Sequence, residues 1–172
     1  MKVVFVIAPR NFRDEELFFT KEELEKAGIK CVVSSVKVGE CVGKLGGKVN
    51  SEVLVTDVKA NDFDAVIFVG GNGVIEYSLS ENPVVVKLAK DFEDKGKLVC
   101  AICIAPRILT SAYVIKGRKA TTFPDETNIR QIKEQGVYTG KLVEVDGKLI
   151  TADSPQSARE FGKTIAKNLT LL

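Results

Sequence analysis

The sequence predicts a doubly wound α/β domain, with a mostly parallel sheet covered by helices on both faces. Two observations carry the prediction. Short β-branched runs alternate with amphipathic stretches along the whole chain, the pattern of repeated β-α-β units joined by right-handed crossovers. Several of those runs are apolar throughout, as strands covered on both faces must be. The 172 residues suffice for one substantial core and are too few for two comfortable ones, so residues 1–172 are expected to form one domain.

The elements follow in chain order. KVVFVIA (2–8) reads as the first strand, and DEELFFTKEELEKAG (14–28) as a helix whose Leu17, Thr20, Leu24 and Ala27 recur at helical spacing. Gly28 caps its C-terminus. KCVVSSV (30–36) closes the first β-α-β unit, and the glycines and short Val/Leu runs of 39–57 suggest small strands or hairpin pieces. FDAVIFVGG (63–71) is a buried parallel strand feeding a tight turn. NPVVVKLAKDFEDKG (82–96) is a helix opened by Pro83 and ended by Gly96. KLVCAI (97–102) is the next buried strand, and APRILTSAYVI (105–115) a helix that opens with Pro106. TNIRQIKEQG (127–136) is a helix, KLVEVDGKLITA (141–152) a hairpin turning on Asp146-Gly147, and SPQSAREFGKTIAKNL (154–169) a closing amphipathic helix capped by Ser154.

Composition narrows the function. The 25 basic and 23 acidic residues nearly cancel, which leaves no field suited to nucleic acid or an anionic membrane surface. The opening MKVVFVIAPR holds an apolar run that ends at Pro9 and Arg10 without a cleavage site, so it reads as a strand rather than an export signal. The longest uncharged stretch, Ala65 to Ile75, is too short to cross a bilayer. A cytoplasmic protein with no nucleic-acid and no membrane partner is expected. Cysteines at 31, 41, 100 and 103, with no export signal, argue against a disulfide framework.

In a doubly wound sheet the ligand site lies at the carboxyl ends of the central strands. Three turns meet at that edge: Asn11 to Glu16, Gly70-Gly71, and Ile102-Cys103-Ile104. Cys103 stands between Ala101 and Ala105 where an apolar strand runs into a helix. A sharp strand-to-helix elbow needs small residues there, because larger side chains collide as the backbone folds back. A thiol so placed, at a helix N-terminus, is expected to have a lowered pKa and to act as the nucleophile. Cys31, Cys41 and Cys100 are expected to be ordinary core cysteines. Cys100 and Cys103 spell C-x-x-C, yet in an extended strand they stand about 10 Å apart on opposite faces, beyond disulfide reach. A zinc site would need two further ligands, and the chain has no histidine.

The backbone amides at Gly70, Gly71 and Ile104 are expected to bind an oxyanion formed on a substrate carbonyl. GGNGVIE has no basic residue and no third glycine at dinucleotide spacing, which argues against a nucleotide. Asp14 and Glu15 are assigned to the helix dipole. Glu16, about one turn inside the helix, is assigned to the site, facing the sulfur.

FRDEEL after the first strand, VIFVGGNG, AICIAP, KGRKATTFP and EVDGKLITADSP together resemble the ThiJ/PfpI superfamily, which includes the parkinsonism-linked protein deglycase and archaeal intracellular proteases. The match runs along essentially the whole chain. The resemblance implies a flavodoxin-like three-layer sandwich, a homodimer or higher homo-oligomer, no cofactor, and reactivity at the elbow cysteine, Cys103. It also implies a glutamate hydrogen-bonded to that sulfur, and F-x-D-x-E-L matched to Phe12, Asp14, Glu16 and Leu17 selects Glu16. A protonated carboxyl suits that place, since two adjacent anions repel.

In the protease-like branch of the superfamily a histidine follows the cysteine. Here Ile104 follows, and Glu76, near the place of the dyad's glutamate, reads as a surface or interface charge. Peptide hydrolysis needs a base and then an acid for the leaving amine, roles Ile104 cannot fill, so peptidase activity is disfavoured. The branch without the histidine implies glyoxalase III or deglycase chemistry on a small-molecule carbonyl substrate. A redox-sensing or chaperone-like role through Cys103 oxidation is the alternative. Ile104, together with Phe123 where some members carry a pocket histidine, implies a narrow, apolar pocket.

Overall fold

The computed structural model describes residues 1–171. Its strands are β1 (Lys2–Ile7), β2 (Arg10–Phe12), β3 (Lys30–Ser35), β4 (Gly39–Gly43), β5 (Lys48–Ser51), β6 (Val53–Leu54), β7 (Ala65–Phe68), β8 (Leu98–Ile102), β9 (Lys119–Ala120), β10 (Val137–Tyr138), β11 (Val143–Asp146) and β12 (Leu149–Ala152). Its helices are α1 (Asp14–Lys26), α2 (Gly73–Glu76), α3 (Pro83–Asp94), α4 (Pro106–Ser111), α5 (Glu126–Lys133) and α6 (Ala158–Leu169).

The central sheet runs β11-β12-β8-β7-β1-β3-β6. Every neighbouring pair is parallel except β11, which lies antiparallel to β12. Because side chains alternate along a strand, each central strand feeds two cores. Val4 and Val6 of β1, Val66 and Phe68 of β7, and Val99 and Ala101 of β8 enter one core, which α3, α4 and α5 cover with Leu88, Phe92, Ile108 and Ile132. Val3, Phe5, Ile67, Leu98 and Cys100 enter the other, covered by Leu17 and Leu24 of α1 and Phe161 and Ile165 of α6. The result is the doubly wound α/β sandwich that the alternating pattern predicts, with the flavodoxin-like form that the resemblance implies.

Helices α1 and α6 pack closely because α6 carries Gly162 at their crossing. A methyl group there would lie 2.9 Å from the Glu23 Cβ and from the Thr20 carbonyl oxygen. The Thr20 hydroxyl donates to the Ala158 carbonyl at 3.2 Å across the same seam.

Two sequence expectations are corrected here. The helix expected over 105–115 ends at Ser111 and gives way to turns that include Tyr113 in the left-handed region (φ 58°). Ser154 caps no helix: a 3-10 turn at Pro155–Ser157 precedes α6, and the Ser154 hydroxyl donates to Asp153 at 2.7 Å instead. The α3 helix does have a side-chain cap, since Asn82 Oδ1 accepts from the Val84 and Val85 amides at 3.0 and 3.3 Å. Among the described residues no helix is long and apolar enough to cross a membrane.

Candidate active site

Strand β1 has β3 on one side and β7 on the other, so chain direction across the sheet reverses there. Such a switch point opens a crevice at the strands' carboxyl ends. Into it come the segment after β1, the glycine turn after β7 and the elbow after β8.

The elbow is real and left-handed. Cys103 has φ 64°, a conformation that costs a non-glycine residue about 1–2 kcal/mol. Its backbone is held on both sides. The Cys103 amide donates to the Ala152 carbonyl at 2.9 Å, and its own carbonyl accepts from the Phe123 amide at 2.9 Å and the Thr122 hydroxyl at 2.8 Å. Ala101 and Ala105, either side of the turn, are fully buried. The reversal also corrects the expected geometry of C-x-x-C. Strand alternation would put Cys103 on the face opposite Cys100, but the left-handed turn brings both into the same apolar core. All four thiols are free. Cys41 and Cys100 are sealed as expected, whereas Cys31 is half-buried.

Glu16 is wholly buried. Its Oε2 accepts from the Gly70 amide at 2.6 Å, while Oε1 has no conventional partner among the described residues. Its remaining polar neighbour is the Cys103 thiol. Burial pushes the carboxyl up to about 8, against smaller opposing effects from the thiol, the Gly70 amide and Arg13. At neutral pH Glu16 is therefore protonated. Gly70 can approach this closely only because it lacks a side chain: a methyl there would lie 2.7 Å from Glu16 Oε2 and 3.0 Å from the Cys103 Cβ.

The expected lowering of the Cys103 pKa is corrected. Burial first, then the facing Glu16, push the thiol up, and the Ile104 amide and Arg13 only partly offset this. The helix dipole is too small to reverse the shift, since α4 has only six residues. The resting state pairs a neutral thiol with a neutral carboxyl.

The amides expected at an oxyanion divide into two groups. Gly70 spends its N–H on Glu16. Among the described residues the Gly71 and Ile104 amides meet no backbone carbonyl, and both residues line the same cleft as Cys103 and Glu16. Gly71 has φ 100° and touches the Asn11–Arg13 backbone, so only glycine fits.

The cleft has a volume of about 260 Å³. Ile104, Phe123, Ile75 and Pro155 supply apolar walls, as the sequence implied, but Arg13, Lys44, Asn72 and Asp125 make part of the lining polar and charged. Those residues come from four loops remote in sequence. Arg13, inside FRDEEL, and Asn72, inside VIFVGGNG, are the two that lie in recognisable motifs. Asp14 does more than serve the dipole. Its carboxylate accepts from the Leu45 and Gly47 amides, both at 2.7 Å, and so ties the loop carrying Lys44 to the start of α1. Glu15 turns to Arg13 in a two-pronged pair at 2.8 and 3.0 Å. Glu76 is exposed at the rim, where Asn11 donates to it at 2.8 Å. Among the described residues no group of three or more His, Cys, Asp or Glu is placed to hold a metal ion.

Fold and site together define a class: flavodoxin-like proteins in which a central strand ends in a left-handed cysteine elbow beside a buried glutamate. The chain belongs to the DJ-1/PfpI family, whose family model matches residues 1–168. An uncharacterized protein of Methanocaldococcus jannaschii is 45% identical over 167 residues, spanning 96% of this chain and 81% of that one. Deglycase PfpI of Pyrococcus furiosus is 32% identical over 171 residues, spanning 96% of this chain and 99% of that one. The crystal structure of a ThiJ/PfpI domain protein from Brachyspira murdochii superposes with a TM-score of 0.94 at 35% identity, over 99% of this chain and 97% of that one.

Proposed function

We propose that this protein is a cysteine-dependent enzyme of the glyoxalase III or deglycase type, in which Cys103 adds to the carbonyl carbon of a small reactive aldehyde. The name deglycase borne by the Pyrococcus furiosus relative supports the class. The observation that carries the reading is Glu16: buried, anchored by the Gly70 amide and poised at about 8 beside the thiol. A group that titrates near working pH both takes and returns a proton efficiently.

In this reading the Glu16 carboxylate takes the S–H proton as the sulfur bonds to the carbonyl carbon. The C=O π pair moves to oxygen, where the Gly71 and Ile104 amides receive the charge. Glu16 then returns the proton to that oxygen, giving a neutral hemithioacetal. This addition step needs no imidazole, because no amine leaves in it. Purified protein is expected to consume methylglyoxal with kcat/KM rising with pH through about 8, as the base form of Glu16 appears. Glu16→Gln should lower the rate by about 10²- to 10⁴-fold, and Cys103→Ala should abolish it. Turnover retained in Cys103→Ala refutes the reading.

A second reading is a redox role in which Cys103 is oxidised to sulfinate. It is favoured by the placement of Cys103 on the cleft while Cys41 and Cys100 are sealed. Mass spectrometry after mild peroxide then finds oxidation on the Cys103 peptide first. Equal oxidation of all four cysteines counts against it.

A further inference from the structure

We propose that the cleft selects carbonyl compounds that carry an anionic group, a carboxylate or a phosphate, and that Lys44 is the residue that selects them. The inference rests on the carbonyl-addition reading above and names its substrate class.

Lys44 is exposed, but it stands on a loop that is tied down. Its amide donates to the Phe12 carbonyl at 2.9 Å, and the next turn of its loop is clamped by the Asp14 carboxylate through Leu45 and Gly47. Its ammonium in turn donates to Asn72 Oδ1 at 2.9 Å. The side chain is thus held at both ends, along the wall of the cleft that also holds Cys103.

The charge so positioned is not neutralised. Arg13 is paired with Glu15 at 2.8 Å, and Arg107 lies 4.0 Å from Asp125. Among the described residues Lys44 has no carboxylate within 4.0 Å. Its one partner, the Asn72 amide oxygen, is neutral, and an ammonium has three donors, so two remain to offer. Asp125, the lining carboxylate, has both oxygens engaged by Asn128 at 2.7 Å. Glu16 adds no opposing charge while it is protonated.

Asn72, which holds the ammonium, directly follows Gly71, and Lys44, Gly71 and Asn72 all line the cleft with Cys103. A neutral aldehyde leaves that cation without a counter-charge. An aldehyde bearing a carboxylate or phosphate supplies one.

The test uses paired alkylating agents on the intact protein, so that it needs no turnover. Iodoacetate and iodoacetamide undergo the same displacement at Cys103: the sulfur-carbon bond forms, iodide leaves, and the thiol proton is lost to solvent. They differ in charge. The ratio of their rates at the Cys103 peptide is measured for wild type, Lys44→Gln, Lys44→Arg and, as a net-charge control, the remote exposed Lys116→Gln. Lys44→Gln should lower the iodoacetate to iodoacetamide ratio by roughly three- to fivefold, the size of a partly exposed ion pair. Lys44→Arg should retain it, Lys116→Gln should match wild type, and 1 M salt should shrink the difference. An unchanged ratio in Lys44→Gln overturns the proposal, as does an equal fall in Lys116→Gln. The two readings separate cleanly. Methylglyoxal turnover with a flat ratio removes the role of Lys44 alone, and a Lys44-dependent ratio without any turnover removes the enzymatic reading alone.

Discussion

Cys103 and Glu16 are two acids set side by side in a place that disfavours the charge of either. Burial raises both, Glu16 pushes the thiol further up, and the thiol's hydrogen bond only partly offsets the rise of the carboxyl. The fold keeps this arrangement at a further cost, the left-handed backbone of Cys103. That strain is separable from the chemistry. Cys103→Gly and Cys103→Ala both remove the sulfur, but only glycine adopts φ 64° freely. The glycine variant should therefore be more stable than the alanine variant by about 1 kcal/mol, measured by chemical denaturation. Equal stability of the two would show that the elbow carries no strain. At this scale the sequence is informative about identity and silent about charge state. The small residues around Cys103 mark the elbow, yet whether a thiol gains or loses protons there depends on how deeply neighbours bury it.

Helix α1 is the element on which the site depends. Its first three residues are all acidic, and successive positions on a helix point about 100° apart, so each reaches a different place. Asp14 holds the 44–47 loop, Glu15 pairs with Arg13, and Glu16 enters the core beneath the glycine turn. An acidic first turn reads from sequence as a response to the helix dipole. The motif F-x-D-x-E-L singled out Glu16, but nothing local distinguishes Asp14, because its partners lie about thirty residues away in sequence. Asp14→Ala should cost about 1.5–3 kcal/mol, the worth of hydrogen bonds to a charged acceptor. It should also speed amide exchange at Leu45 and Gly47 while leaving the α6 amides protected. Unchanged exchange at those two amides would show that the loop holds itself.

For the whole molecule, the absence of histidine leaves a clear window. No side chain with an ordinary pKa titrates between pH 5 and 8, and Glu16 is shifted into that range. A carboxyl raised from 4.5 to about 8 binds its proton in the folded state where the unfolded chain has lost it. Its stabilising contribution is full below 4.5 and is lost as pH rises to about 8, with a slope of up to about 1.4 kcal/mol per pH unit. Wild type should therefore lose stability across this window, and Glu16→Gln, which keeps an acceptor for Gly70 but cannot ionise, should flatten the loss. The midpoint of urea unfolding at pH 5, 6.5 and 8 measures it. A wild-type profile as flat as the mutant's would mean that Glu16 ionises at its ordinary value. The pairs of Glu22 and Glu23 with Lys26 and Arg159 hold those carboxylates below their usual range, so their effect falls at acid pH, outside the window.

By itself the sequence determined the layered α/β order of elements, the position of the elbow, and the identity of the glycine turn and of Glu16. The first three are written in local pattern, alternation for strands and small residues where a backbone must reverse, whereas Glu16 is singled out by the F-x-D-x-E-L resemblance. The tertiary structure decided which face Cys103 occupies, that the Gly70 amide is spent on Glu16 while the Ile104 amide faces the sulfur, and that burial pushes the thiol up. It also decided that Lys44 lines the cleft, bonded to Asn72 and with no carboxylate beside it among the described residues. These depend on burial and on contacts between segments distant along the chain, and neither quantity is carried by neighbouring letters.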